Sequence, residues 1–394
     1  MIDVARVRAD TPGCRDIVHL NNAGAALPPR VVVNTVIEHL ELEARIGGYA
    51  AADAMATRTA AIYESVAALI GAEASEIALV ESATRAWDGA AYALASSFTP
   101  GDRLLTSRAE FASNVIGLLQ IARRTGARVE VIPDDDAGQV SVDALRDLID
   151  ERVRLIALSW IPSQGGLVQP AAAVGSIARE AGVPYLLDAC QAAGQLPVDV
   201  QELGCDFLAA TGRKYLRAPR GTGFLYARRS TTAQLEPPFL DVHAAQWAHG
   251  DRLVVRDDAR RFESWEHSVA NRLGLGTAVD YALACGAAAI AERVTALAAS
   301  LREQLAQVPG LTLHDRGIEQ CGIVTFTVDG VDVFELAARL RTEAINIGVS
   351  TIDFARYDLE ARGLDAVARA SVHYYNTDGE LTRLVDAISA SPRA

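Results

Sequence analysis

Between residues 76 and 227, short apolar runs alternate with helical stretches, and that alternation leaves few folds open. Glu76-Ile-Ala-Leu-Val, Asp102-Arg-Leu-Leu-Thr, Arg128-Val-Glu-Val-Ile, Val153-Arg-Leu-Ile-Ala-Leu-Ser and Pro184-Tyr-Leu-Leu-Asp read as buried strands. Helical patterns over Thr84–Ser97, Ser113–Arg124, Ser141–Glu151 and Ala171–Ala181 separate them. Buried strands joined by helices predict an α/β fold, a mostly parallel sheet covered on both faces. Asp206–Ala210 and Gly223–Ala227 then flank a turn that carries Lys214. After about residue 250 the character changes to α+β. Helices are predicted over Asn271–Ala288, Ile290–Val308, Phe334–Thr342 and Asp378–Ala390, and strands over Gly322–Val328 and Ala368–Tyr375. The division that follows is an N-terminal segment (1–20) folded onto a small domain, a large domain (21–255) and a small C-terminal domain (256–394), the last beginning with an interdomain helix.

At 394 residues the chain suits two domains rather than one core. With 50% hydrophobic and 22% charged residues, it is not a disordered sequence. The net charge of -13, with no basic run, argues against nucleic acid. No apolar stretch has the length of a membrane span, and Met1–Asp10 has no apolar signal-like core. Five cysteines, Cys14, Cys190, Cys205, Cys285 and Cys321, lack metal-ligand spacing. The expectation is a cytoplasmic protein with reduced thiols and no metal.

Three segments at strand ends carry chemistry. Asp188-Ala-Cys-Gln191 follows one apolar strand directly, at the edge where open α/β sheets bind ligands. Thr211-Gly-Arg-Lys214-Tyr follows another, and a lysine in apolar surroundings is costly unless paired or used. Such a lysine loses proton affinity and condenses with aldehydes. Ser82-Ala83-Thr84 lies between a strand and a helix, where free N–H groups and the Thr84 hydroxyl meet a phosphate. Taken singly, Asp188 and Ser82–Thr84 read as well as helix caps, and Lys214 as a surface-loop lysine. Together they supply what pyridoxal 5'-phosphate (PLP) requires: an amine, an acid for the ring nitrogen and a phosphate cradle. Thr211 and Arg213 add a hydroxyl and a charged donor for the same phosphate.

The run Asp188-Ala-Cys-Gln191, Thr211-Gly-Arg-Lys214-Tyr and Pro219-Arg-Gly-Thr-Gly-Phe-Leu-Tyr226 resembles the class V aminotransferase and cysteine desulfurase family of fold-type I PLP enzymes. Leu20-Asn-Asn-Ala-Gly24, Ser82-Ala-Thr84, Glu110-Phe-Ala-Ser-Asn114, Ser163-Gln-Gly-Gly166, Arg261-Phe-Glu263 and Arg369–Thr377 match it in order, over essentially the whole chain. The resemblance implies a mostly parallel seven-stranded sheet between helices in the large domain, with a smaller α+β domain. It implies Lys214 as Schiff-base lysine and proton shuttle, and Asp188 against the pyridinium nitrogen. Gln191 is implied near the ring oxygen with Ser163 or Gln164, and Phe111 is stacked on the ring. Ala83, Thr84, Thr211 and Arg213 are implied at the phosphate. Arg369 grips the substrate carboxylate, with Asn22 and Ala23 approaching the substrate. A homodimer is implied as well.

Two departures direct the expected reaction. Ile347–Asp358, where desulfurases of the family carry a mobile cysteine, contains none. Phe262-Glu-Ser-Trp-Glu266 stands where relatives have Ala-Gly-Thr-Pro, and sets Glu266 where a threonine reaches the partner's phosphate; Trp265 and Glu266 then shape the substrate pocket or hold the interface. With Phe111 and Ile46-Gly-Gly-Tyr49, these features resemble the branch of isopenicillin-N-epimerase-like proteins and ergothioneine C–S lyases. The expectation is a C–S β-lyase that releases pyruvate and ammonia from a cysteine derivative. An aminotransferase or an epimerase is the alternative, and a persulfide-forming desulfurase is not expected.

Overall fold

The computed structural model describes residues 1–390. The N-terminal segment reaches its first strand at β1 (Val18–Leu20). Seven strands follow in the large sheet: β2 (Ile77–Val80), β3 (Arg103–Ser107), β4 (Arg128–Ile132), β5 (Val153–Ser159), β6 (Tyr185–Asp188), β7 (Phe207–Thr211) and β8 (Gly223–Ala227). Their order is β2-β8-β7-β6-β5-β3-β4. β4, β3, β5, β6 and β7 run parallel, while β8 is antiparallel to both its neighbours. Every residue of β2, β6, β7 and β8 is buried, as expected for a sheet with helices on both faces. The connecting helices include Ala83–Ala95, Ala112–Thr125 and Ala171–Ala181. The seven-stranded, mostly parallel α/β architecture read from the sequence is therefore the architecture observed.

A two-stranded hairpin, β9 (Ala245–His249) and β10 (Arg252–Val255), stands outside that sheet with most of its side chains exposed. It has no apolar alternation strong enough to announce it. The C-terminal part forms a second sheet from β11 (Leu311–Leu313), β12 (Ile323–Val328), β13 (Ile345–Thr351) and β14 (Ala366–Ser371). Its order is β1-β13-β14-β12-β11, with β1 parallel to β13. Thus the N-terminal segment completes the small sheet.

Several boundaries differ from the sequence reading for local reasons. The two long helices are Val269–Cys285 and Ala287–Leu305, broken by an 80° bend at Gly286, whose φ is 84°. Positive φ is cheap only for glycine, so the chain turns there and not at residue 289. The strand predicted over Ala368–Tyr375 ends at Ser371, because the His373 N–H donates to Asn376 Oδ1 (2.8 Å) and closes a turn. No single helix among the described residues is long and apolar enough to cross a membrane.

Glu263 ties the large domain to the helix Val269–Cys285. Its enclosed carboxylate accepts from Tyr63 Oη (2.9 Å), the Leu79 N–H (2.9 Å) and Arg272 Nη1 (2.9 Å), while Arg272 Nη2 donates to the Leu79 carbonyl. Burial alone would raise the Glu263 pKa. The neighbouring His243, the Arg272 charge and the Leu79 and Tyr63 donors outweigh it and hold the group below the ordinary carboxyl range. A depressed folded-state pKa stabilises the fold above the unfolded value of about 4.3 and is lost as the pH falls through the folded value. Glu263→Ala leaves Arg272 buried without its ion-pair partner, a loss of about 3–5 kcal/mol. Thermal melts at pH 7 are expected to show a clear fall in Tm. The gap between wild type and variant is expected to narrow below pH 4, and a gap that stays constant with pH would contradict the charged pair.

Candidate active site

Lys214, Asp188, Gln191 and Phe111 line one pocket at the C-terminal edge of the parallel strands, together with Ala83, Thr84 and Ser163. The edge location follows from the fold, since β6 ends at Asp188 and β7 ends three residues before Lys214. Lys214 is the only lysine of the sequence; the other basic side chains among its 37 are all arginine. It is buried at 8% exposure and forms no ion pair with an acid among the described residues. The Cys190 thiol beside it is pushed up by burial, against the pull of the Lys214 charge. A buried amine without a counter-carboxylate has the character of a reactive group rather than a structural one.

The two oxygens of Asp188 are separately held. Oδ1 accepts the Cys190 N–H (2.8 Å) and Oδ2 accepts Asn114 Nδ2 (2.8 Å). Gln191 donates through Nε2 to the Ala23 carbonyl (3.1 Å), while its buried Oε1 has no partner, which leaves one side of the amide free toward a ligand. At the other end of the pocket, Ser82 caps the helix Ala83–Ala95 by accepting the Arg85 N–H (3.1 Å). The N–H groups of Ala83 and Thr84 have no intrahelical partner, which is the usual seat of a phosphate. Gly223 keeps that seat close to the sheet, since a Cβ there would lie 2.6 Å from the Ala210 carbonyl oxygen and 3.0 Å from the Ser82 carbonyl carbon. Amine, carboxylate, open amide and phosphate seat fit PLP by the chemistry of the donors.

Other residues named from sequence are placed differently. Asn22 is not available to a substrate: Nδ2 donates to the Ser371 carbonyl (2.6 Å), and Oδ1 accepts from the Tyr375 hydroxyl. Its neighbour Asn21 instead accepts from Arg369 Nη2 (3.3 Å) through Oδ1. Thr211 donates to the Thr222 carbonyl (3.2 Å), Arg213 donates to the Gly24 carbonyl, and Gln164 donates to Asp358 Oδ2 (3.2 Å). These three bonds tie the walls together, and none of the three residues is in the pocket lining. Ala23 bonds to Gln191 through its carbonyl, and its N–H donates to Ser371 Oγ (2.9 Å).

Arg369 lies on β14, with Nη1 on the Ser163 carbonyl (2.8 Å) and Nε without a partner. Burial, with the Arg213 charge adding to it, lowers its pKa to about 10, still charged at neutral pH. No acid pairs with it among the described residues. Ser159, Ile161 and Cys190 also line the pocket and were not assigned roles from sequence. The segment after β13 folds over it, and the Phe354 ring stacks parallel to Phe111 at 6.4 Å.

Fold and pocket together define a PLP-dependent enzyme of fold type I. Residues 17–384 match the family model for aminotransferase class-V, and the chain belongs to that family. It is 32% identical over 396 residues to a cysteine desulfurase of Pectobacterium atrosepticum, covering 97% of this chain and 96% of that protein. A Xylella fastidiosa protein named "Probable cysteine desulfurase" is 31% identical over 398 residues, 98% of this chain and 95% of that one. The crystal structure of the cysteine desulfurase CsdA from Escherichia coli superposes with a TM-score of 0.91 at 26% identity, covering 98% of each chain. The cystine C–S lyase C-DES superposes at 0.87 with 21% identity, covering 96% of this chain and 99% of that one, a likeness of fold alone.

PLP is the cofactor of the family and fits the pocket. The expectation of a pyruvate-releasing C–S lyase, with desulfuration set aside, is corrected by these relatives. It rested on a branch resemblance and on one cysteine absent from the segment 347–358, against a match that runs the length of the chain. Reduction of the PLP-loaded protein with borohydride, followed by peptide mass mapping, is expected to find one adduct, on Lys214. An adduct that persists in Lys214→Ala would contradict the assignment.

Proposed function

We propose that the chain is a cysteine desulfurase, which takes sulfur from cysteine and leaves alanine. The observation that carries this reading is the naming of relatives at 31–32% identity over nearly the whole chain, joined to a pocket with the chemistry PLP needs. In the balanced reaction the Cβ–S bond of cysteine breaks and an S–S bond forms to a thiol. Cysteine and RSH become alanine and RSSH, with the thiol proton supplying the new C–H bond. Bound at this site, PLP supplies the electron sink that makes the Cα–H bond acidic and the Cβ–S bond weak.

The chain's own residues divide the remaining work. Lys214 holds the cofactor and, once free, moves the proton at Cα. Asp188 would hold the ring nitrogen, and the N–H groups of Ala83 and Thr84 would hold the phosphate. Phe111 and Gln191, in the same lining, would pack on the ring and bond its oxygen. Arg369, whose Nε–H has no partner, holds the substrate carboxylate by a charge-assisted pair. Phe354 over Phe111 limits water at the reacting atoms. The walls carry Thr211, Arg213 and Gln164 as supports.

The functional unit is proposed to be a homodimer. Val33, Ile37 and Leu40 stand exposed at helical spacing on Arg30–Ile46, and Trp247 and Trp265 are exposed beyond the large sheet. Exposed apolar side chains of this kind are the sort that association covers.

Product analysis tests the reading. The PLP-loaded protein, given L-cysteine and excess dithiothreitol, is expected to release alanine and sulfide in equal amounts. Pyruvate and ammonia in place of alanine would overturn it. Arg369→Ala is expected to raise KM for cysteine strongly, by the equivalent of roughly 2–4 kcal/mol for a lost buried charge pair, with a smaller effect on kcat. An unchanged KM would remove Arg369 from the carboxylate site.

A further inference from the structure

Behind Asp188 lies a second carboxyl group, Glu110, which the chemistry described so far does not use. It is 1% exposed and sits in the link between β3 and the helix Ala112–Thr125. Its Oε2 accepts the Ser159 N–H (2.8 Å) and the Thr106 hydroxyl (3.2 Å). Its Oε1 accepts the Phe111 N–H (3.0 Å), Asn114 Nδ2 (2.9 Å) and the Ser159 hydroxyl. The carboxyl therefore joins the ends of β3 and β5 to the start of the helix that carries Phe111.

Asn114 connects this group to the pocket. Its one amide nitrogen donates to Glu110 Oε1 (2.9 Å) and to Asp188 Oδ2 (2.8 Å), so both of its hydrogens are used. Ser159, which bonds Glu110 from below, is paired in register with Asp188 on the neighbouring strand and itself lines the pocket. We propose that Asn114, aimed by Glu110, is a positioning residue that fixes the Asp188 carboxylate for the cofactor's ring nitrogen. The proposal rests on Asp188 as the ring-nitrogen partner and is independent of which amino acid is the substrate.

The physical argument concerns donors. A carboxylate opposite a pyridinium nitrogen works only if one oxygen points at that nitrogen and the charge stays on the acid. Asp188 Oδ1 is taken by the backbone of Cys190, and the rotation that remains is stopped by the Asn114 bond to Oδ2. An asparagine amide left to itself turns over readily, because its two ends are nearly the same shape. Here the second acceptor, Glu110, can be met only by the NH₂ end, so the donor face toward Asp188 is fixed. Both Glu110 oxygens accept obligatory N–H donors, a demand that a glutamine in its place would fail on one side.

Electrostatics point the same way. Burial, and after it the negative charge of Asp188, raises the Glu110 pKa, against the Ser159, Asn114 and Phe111 donors. The other ionisable groups around the pair are Tyr185, Cys190 and Lys214. The Asp188 charge is thus felt at Glu110, the two carboxyl groups being joined by the one Asn114 amide.

The test reads the bound cofactor as well as turnover. The PLP-loaded full-length protein is titrated with pH while its visible absorption band is followed. In Asn114→Ala the midpoint is expected to move up by about one pH unit, a tenfold change in proton affinity. The direction follows because a weaker partner leaves less positive charge on the ring nitrogen, which then repels the proton on the Lys214 nitrogen less. The kcat is expected to fall with KM for cysteine little changed. Asn114→Ser, whose single hydroxyl donor serves only one of the two carboxyl groups, is expected to give a smaller shift in the same direction and keeps the test open if the alanine variant does not fold.

A wild-type midpoint in both variants would overturn the proposal. Asp188→Asn serves as the control. If it shifts the midpoint and the Asn114 variants do not, the positioning role fails alone. If it shifts nothing, the assignment of Asp188 to the ring nitrogen fails first and takes the positioning role with it.

Discussion

An amine enclosed at the edge of a parallel sheet, with no acid paired to it, is the constraint that the remaining structure serves. Lys214 has the Cys190 thiol beside it and no carboxylate partner among the described residues. A buried amine without a counter-carboxylate is costly as a structural element, and condensation with a carbonyl gives it a use. Everything near it is arranged around that group. β6 and β7, adjacent and parallel, bring Asp188 and Lys214 to the same edge. β2 and the helix start at Ala83 bring unpaired N–H groups to the same pocket, and the close approach allowed by Gly223 holds them there.

The small sheet contributes through the N-terminal segment. β1 pairs with β13, and the following residues, Asn21 to Gly24, bond to residues of the small sheet and of the turns after β6 and β7. Asn21 meets Arg369, Ala23 meets Gln191, and Gly24 meets Arg213. Arg369 is thus linked to the cofactor pocket by backbone and amide bonds, without an intervening ion pair. Arg217 anchors the same layer from below: it is fully buried, donates to the Leu27 carbonyl (2.8 Å) and Tyr374 Oη (2.7 Å), and lies over the Tyr375 ring. Such cation–π and charge-assisted contacts gain strength where water is excluded.

The strand-end residues were legible from the sequence because a continuous apolar run stops abruptly at a polar group. That is why Asp188, Lys214 and Thr84 were named, which the structure brings to one pocket, and why a mostly parallel sheet was expected; the count of seven came from the family resemblance. The single lysine was an available signal of greater force than its neighbours' motif. Asn22 was read toward the substrate, but Asn21 forms the bridge to Ser371 while Asn22 opens the turn that follows and spends its amide on Ser371 and Tyr375. Thr211 and Arg213 were read toward a phosphate from their nearness to Lys214, yet the turn directs both to carbonyl groups. Glu110 and Asn114 stood in a quoted motif without a role, since spacing of four on a helix start says nothing of what lies across the sheet. The reaction was misjudged for a different reason: a branch resemblance and one side chain missing from residues 347–358 were weighed above a likeness spread over the whole chain.

The arrangement at the sheet edge is tested most directly by the crystal structure of the PLP-loaded protein. The account predicts the ring nitrogen within hydrogen-bonding distance of an Asp188 oxygen, with Asn114 still on Oδ2. It also predicts the phosphate on the Ala83 and Thr84 N–H groups and continuous density from the cofactor to the Lys214 side chain. A ring turned away from Asp188, or a phosphate seated elsewhere, would contradict it.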